Sequence, residues 1–285
     1  MKKLAALLLS AMLLASLCAC SPTQEDETVR PSWIFDHSYK LTEPIALPND
    51  TQLPAEAVIY EAAPDKDAFL SMVRENFGLS AEDMTESTDG DKFTLKNADC
   101  SFTFSDVNGN WVYETAGFGE ELGGDISDEA AIAAALAFVE QHGIYDGELR
   151  AGSVEIANGA TGFMYKTVFL YPTVNDKPVR GLYYISASVE ADGTVVQCSN
   201  MAFAAKQGSA VKLKTADDVK TAIDSGDYAL ELLEHQKLKG IKVTDIELAY
   251  YPEGSYLLPI YIVTAEGTTP DGERGALEMY IDAQA

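Results

Sequence analysis

The sequence predicts an α+β fold of tandem units, each a helix packed on a three- to four-stranded antiparallel sheet. Three observations carry this. Helical apolar stripes are followed by alternating strand runs, twice in the same order. Asn-Gly and Asp-Gly steps stand where tight antiparallel turns need them. The run at 254–283 also echoes the run at 162–191. Phe163-Met164-Tyr165 corresponds to Tyr256-Leu257-Leu258, Val168-Phe169-Leu170 to Tyr261-Ile262-Val263, and Gly181 to Gly275. Val154-Glu155-Ile156-Ala157 likewise corresponds to Ile246-Glu247-Leu248-Ala249, so the C-terminal half reads as an internal duplication.

Residues 1–19 read as a lipoprotein signal peptide: Lys2 and Lys3 precede a short apolar run and then small residues. That run falls short of the roughly 20 residues a membrane-spanning helix needs. Leu17-Cys18-Ala19-Cys20 resembles the bacterial lipobox, in which the Cys after a small residue receives diacylglycerol and becomes the mature N-terminus. Cys20 fits and Cys18 does not, because Leu17 is too large for the position before the modified Cys. An ordinary cleaved signal or an uncleaved anchor are the other readings. The expectation is an extracytoplasmic protein tethered to the bacterial cell membrane by lipidated Cys20, with the lipid anchor in the membrane as its first partner.

Residues 20–56 read as a flexible tether, polar and punctuated by Pro22, Pro31, Pro44, Pro48 and Pro54. Trp33-Ile34-Phe35 interrupts it and is expected to dock on a folded part, the other reading being an exposed contact. An N-terminal α+β unit spans 57–122. It has a strand at 57–60, a helix at 65–77 with Phe69, Val73 and Phe77 on one stripe, and strands at 93–95, 101–104 and after Asn108-Gly109. The first helix-sheet repeat spans 123–208. Ser127 caps a helix at 128–142 with Ile132, Leu136 and Val139 inward, and strands follow at 153–157, 163–171, 182–190 and 194–203. The second repeat spans 209–285. Thr215 with Asp218 forms a capping box, and the helix runs toward Lys239-Gly240 with an interruption at Ser225-Gly226. Strands at 244–251, 256–264 and 276–282 complete it.

With 47% hydrophobic residues the chain can bury a core, and a formal charge of −25 makes nucleic acid and anionic lipid headgroups poor partners. That charge fits solubility outside the cytoplasm, or else a surface for cations or a basic partner. No cofactor is expected. The motifs of serine hydrolases, nucleotide-binding loops and zinc sites are absent. His142 and His235 fall near helix C-termini, where a cationic ring is favourable without catalysis, and His37 falls in the tether. Asp106-Val107-Asn108-Gly109-Asn110 begins like a calcium loop, but Trp111 stands where Gly is needed, so a hairpin turn is the expectation and no metal site. Cys100 and Cys198 remain after lipidation; export permits a disulfide between them, and a buried free thiol in each strand is equally ordinary. Adjacent strand residues face opposite sides, so one of each pair Tyr183-Tyr184 and Tyr250-Tyr251 can face outward. Tyr184 and Tyr251 are the candidates for a partner surface.

DIELAYYPEGSYLLPIYIV at 245–263 and NDKPVRGLYYISASVEADGTV at 175–195 resemble the extracytoplasmic regulators of the YycH/YycI type, and more loosely PepSY-type helix-and-sheet modules. The resemblance covers about half the chain. It implies no catalytic centre, and action by protein contact on an envelope-sensing histidine kinase. Proteins of that type carry a transmembrane anchor, whereas this chain carries a lipobox. The expected function is a non-catalytic, lipid-anchored cell-envelope protein that binds an envelope protein partner. The alternatives are a binding lipoprotein for a small ligand or cell-wall glycan, and a hydrolase working through paired carboxylates.

Overall fold

The computed structural model describes residues 29–33, 41, 45, 47–48, 51–119, 124–158, 162–231 and 238–285. The signal peptide, Cys20, Ile34, Phe35, His37 and His235 lie outside the described residues. The chain divides into Met1–Arg30 and Pro31–Ala285, and all helices and strands described belong to the second.

Its helices are α1 (Lys66–Asn76), α2 (Asp128–Gln141) and α3 (Ala216–Ser225). The strands of the first half are β1 (Glu56–Ala62), β2 (Thr85–Asp89), β3 (Lys92–Lys96), β4 (Cys100–Ser105) and β5 (Trp111–Thr115). Those of the middle are β6 (Leu149–Asn158), β7 (Phe163–Val174), β8 (Lys177–Pro178), β9 (Ile185–Val189), β10 (Val195–Asn200) and β11 (Ala205–Lys212). The last are β12 (Ala229–Glu231), β13 (Lys239–Glu253), β14 (Tyr256–Thr268) and β15 (Arg274–Asp282).

The fold is α+β, with helices on antiparallel sheets. The strands of the separate units merge into two larger sheets. A nine-stranded sheet runs β2-β3-β4-β5-β10-β9-β7-β6 with β8 added to β7, and a six-stranded sheet runs β11-β1-β14-β15-β12 with β13 added to β14. Strands of 57–122 and 123–208 join through β5 and β10, where Trp111 faces Asn200. β1 crosses to the other sheet, between β11 and β14. The boundary expected at 208/209 falls inside β11.

Helix ends follow local chemistry. Asp65 accepts from the Ala68 N–H, and Ser127 from the Ala130 N–H, each satisfying a donor that the helix leaves unpaired. Thr215 and Asp218 form the reciprocal capping box. α3 ends at Gly226, whose φ of 75° is left-handed, instead of running toward 239. Leu230, expected on that helix, sits in β12. The buried stripe of α2 is Ala131, Ala135 and Val139, one step from the expected Ile132 and Leu136, which are half-buried. Alanines there let the helix close directly on β7 and β9. Lys166 points from β7 to the start of α2, where its ammonium donates to Asp128 at 2.8 Å and to the Ile126 carbonyl.

α1 and α2 cover one face of the nine-stranded sheet. Phe69 stacks on Phe104 at 4.8 Å, and Phe102, Leu170, Ile185 and Cys198 are fully enclosed beneath. The opposite face carries a polar row: Glu114, Gln197, Ser188 and Thr167 hydrogen-bond in series across β5, β10, β9 and β7. The six-stranded sheet is buried on both faces. Val219 and Ile223 of α3 pack over Tyr261, Val263 and Met279, while Ile260, Ile262 and Tyr280 face the other way and are equally enclosed.

Apolar residues of the segment expected as a tether pack on the folded part, while Arg30, Ser32 and Pro48 of the same segment stay exposed. Ile45 is buried in the α3 core, Leu41 donates its N–H to the Tyr228 hydroxyl at 2.8 Å, and Trp33 packs on Tyr251 and Tyr280. Ser32 donates to the Glu253 carboxylate beside it at 2.7 Å.

The echo in sequence has a structural counterpart. β7 lies between β6 and β9 as β14 lies between β13 and β15. Val154 and Val168 face the α2 core, and Ile246 and Tyr261 the α3 core, so sidedness is kept. Register differs: Val154 pairs with Val168, but Ile246 pairs with Val263, two residues beyond Tyr261. Gly181 is a left-handed loop residue at φ 82°, whereas Gly275 lies within β15 opposite Gly267.

Candidate functional site

Residues of both sheets line a cleft where the sheets adjoin, and the β7–β8 hairpin helps shape it. Asn175 and Asp176 both adopt positive φ, 52° and 59°, the conformation that turns a chain back in two residues. The returning strand leaves its own sheet and docks on the edge of β13. Val179 bridges Tyr250 in parallel, and Arg180 donates its N–H to the Tyr250 carbonyl at 2.8 Å. At Gly181 the loop passes so close that a Cβ would lie 3.1 Å from the Tyr251 ring.

Beside this loop is a cleft of about 460 Å³, within the range of small-ligand sites. Its walls come from both sheets: Arg150 and Tyr171 on one side, Glu247 and Tyr280 on the other, Arg180 and Leu182 from the loop. Tyr171 is held by contact with Gly152, where a Cβ would come within 2.1 Å of the ring. The Arg180 guanidinium lies 3.6 Å from Glu278, and its Nε is buried without a hydrogen-bond acceptor. Arg150 is exposed, with Glu148 at 3.6 Å. Leu182 is 60% exposed, high for an apolar side chain. A second cavity of about 530 Å³ lies across Thr173, with Tyr60, Asp146, Asn200 and Phe203 in its wall.

Tyr184 sits next to the cleft, half-buried, with its ring 5.2 Å from Phe169 and 6.4 Å from Tyr171. Burial first, then the neighbouring Tyr171 and Glu155, push its hydroxyl pKa up. Its partner Tyr183 is inside, donating to the Phe203 carbonyl at 3.1 Å. Tyr251 is not on an outer surface. It is 2% exposed, and Trp33 packs edge-on against it at 5.1 Å. Alternation sends Tyr250 and Tyr251 to opposite faces as expected. Both faces of this sheet are covered, so neither points out.

Cys100 and Cys198 are buried free thiols. The disulfide considered from the sequence is excluded by topology. Cys100 lies opposite Thr115 and Cys198 opposite Tyr113, so β5 runs between them. Two strand spacings separate them, about 9–10 Å, beyond the roughly 7 Å between Cα atoms that a disulfide can span. Burial pushes the Cys198 thiol up to about 12 and, with Asp99 adding to it, raises Cys100.

His142 stacks on Phe77 at 4.0 Å, its Nδ1 donates to the Asn76 carbonyl at 2.7 Å, and Asn76 returns a bond to the His142 carbonyl. It clasps the ends of α1 and α2. Asp106–Asn110 forms a five-residue β4–β5 loop, longer than the expected two-residue turn, with Gly109 at φ 75° and the Asn110 N–H donating to the Asn108 side chain. Among the described residues no three His, Cys, Asp or Glu stand close enough to share a metal ion, and no helix is long and apolar enough to cross a membrane.

No protein-family model and no curated protein matches this chain. Among solved structures, the Bacillus megaterium YpeB C-terminal domain is similar with a TM-score of 0.38 and 13% identity, covering 76% of this chain and 99% of that one. The YycH/YycI-type resemblance finds no support. A likeness this distant fixes neither fold nor function.

Proposed function

We propose that this chain is a non-catalytic, lipid-anchored protein of the bacterial cell envelope, held through Cys20, that acts by binding another protein and so modulates an envelope signalling system. The cleft at the seam of the two sheets supports this reading. It combines aromatic rings with the Arg150 guanidinium from β6 and with the exposed Leu182 and the Arg180 guanidinium on a loop stapled to β13, which are features of recognition surfaces. The histidine among the described residues is committed to holding helix ends together. Crosslinking on intact cells followed by capture from membranes tests the reading. A specific partner recovered with the native chain, and lost with Arg180→Glu, supports it; recovery unchanged by Arg180→Glu, or no partner, sinks it.

The volume and aromatic lining of the cleft favour a second reading, a binding lipoprotein for a small ligand or cell-wall glycan. Direct binding of muropeptides or solutes to the purified chain, in the absence of any protein partner, distinguishes it.

A further inference from the structure

We infer that the seam cleft recognises a carboxylate group carried on an apolar or aromatic body, seated between Arg150 and Arg180; this rests on the reading of the cleft as a binding site. The chain carries a net −25, and only five of its residues are arginine, at 30, 74, 150, 180 and 274. Two of the five line one cleft. Neither is saturated. A guanidinium offers five donors in a planar fork. Among the described residues the Arg180 guanidinium reaches only Glu278, at 3.6 Å, which is too long for a hydrogen bond, and its Nε has no acceptor there. Glu278 is already accepting from the Tyr280 hydroxyl at 2.8 Å. Arg150 has one contact of the same length, with Glu148.

A planar carboxylate is the group that matches this fork. Tyr171, Tyr280 and Leu182 supply flat and apolar surface beside it, which suits an aromatic or aliphatic body. Glu247 stands on the facing wall. It repels a second anionic group there, so the cleft favours a ligand with one carboxylate and a neutral or cationic group facing Glu247. Glycan polymers without a carboxylate lack the feature the arginines select. The same chemistry is offered by a free aromatic acid and by the C-terminal end of a polypeptide.

The experiment is an amide-resonance titration of the intact mature chain with four probes: N-acetyl-tyrosine, its amide, and a blocked six-residue peptide ending in tyrosine as free acid or amide. The expected result is movement of the Tyr171 and Arg180–Leu182 resonances by the acids, with affinity at least about tenfold above the amides, the worth of a charge-assisted pair. Arg180→Gln, which keeps a polar side chain of similar reach, is expected to abolish that preference while the spectrum stays dispersed. Tighter binding by the peptide acid assigns a chain end as the source, and tighter binding by N-acetyl-tyrosine assigns a free acid. Equal shifts from acids and amides overturn carboxylate recognition while leaving the cleft as a site. No shift from any probe overturns the inference, and partner capture then decides the proposed function on its own.

Discussion

The Trp33 ring meets the Tyr251 ring edge-on, 5.1 Å between centroids, and leans on Tyr280 at 6.3 Å. The contact ties the N-terminal segment to the C-terminal sheet. Aromatic pairs are worth about 0.5–1.5 kcal/mol beyond the area they bury. Truncating Trp33, which is half-buried, also removes that area. Trp33→Ala is expected to cost about 2 kcal/mol in denaturant unfolding. A change below about 0.5 kcal/mol, the range of ordinary surface substitutions, shows that the segment does not support the sheet.

Gly181 holds a left-handed conformation in a tight setting against Tyr251 and Pro252. Gly181→Ala is expected to lower stability by about 1–2 kcal/mol through φ strain alone. Because a Cβ would sit 3.1 Å from the Tyr251 ring and 3.3 Å from Pro252, closer than ordinary contact, the loop should also lift from β13. Loss of protection of the Arg180 amide in hydrogen exchange checks this, since that N–H is bonded to Tyr250. Retained protection means that the loop absorbs the methyl group.

Two unlinked, enclosed thiols predict an absence of redox sensitivity in the folded part. Reductant should leave the melting temperature of a chain beginning after Cys20 unchanged. A thiol reagent should find neither Cys100 nor Cys198 at neutral pH until denaturant is added, because burial raises both pKa values and blocks access. A reductant-dependent transition would refute the strand order β4-β5-β10.

Alkaline pH should unfold this protein through its tyrosines. Burial pushes Tyr113, Tyr250 and Tyr261 up to about 12, while unfolded tyrosine ionises near 10. The folded state therefore keeps protons that the unfolded state has released. The stabilisation is fully present below about pH 10 and is lost as pH rises toward 12. The unfolding midpoint should be flat between about pH 7 and 9 and fall above 10, with a shallower fall in Tyr250→Phe. Tyrosinate absorbance rising before unfolding, with all tyrosines titrating together near 10, contradicts the burial of these rings.

Much of the fold was legible because it is local. Ser127 and the Thr215–Asp218 box announce helix starts through their own hydrogen bonds, and the 162–191 and 254–283 runs carry strand alternation on their face. Pairings at long range left no such mark. β11, with the sequence AKQGSAVK, is largely exposed and shows no apolar alternation, so nothing in it signals a partner at β1. Tyr251 was misplaced because alternation tells which side a residue takes, not whether that side is covered. The cleft was the least legible feature: Arg150, Tyr171, Arg180, Glu247 and Tyr280 meet only when two sheets pack. The one local hint was Asn175-Asp176 followed by Gly181, which marks a chain bent to serve as a wall.

The position of β1 between β11 and β14 sets an order of events. The first strand of the folded part finds its first neighbour only after residue 205 exists, and its second only after residue 256. A ribosome or a translocation channel delivers the N-terminus first. This sheet therefore cannot close until β14 has emerged, whereas the nine-stranded sheet, complete by residue 200, can form ahead of it. Removing β14 and β15 takes away the scaffold on which the opening strand comes to rest.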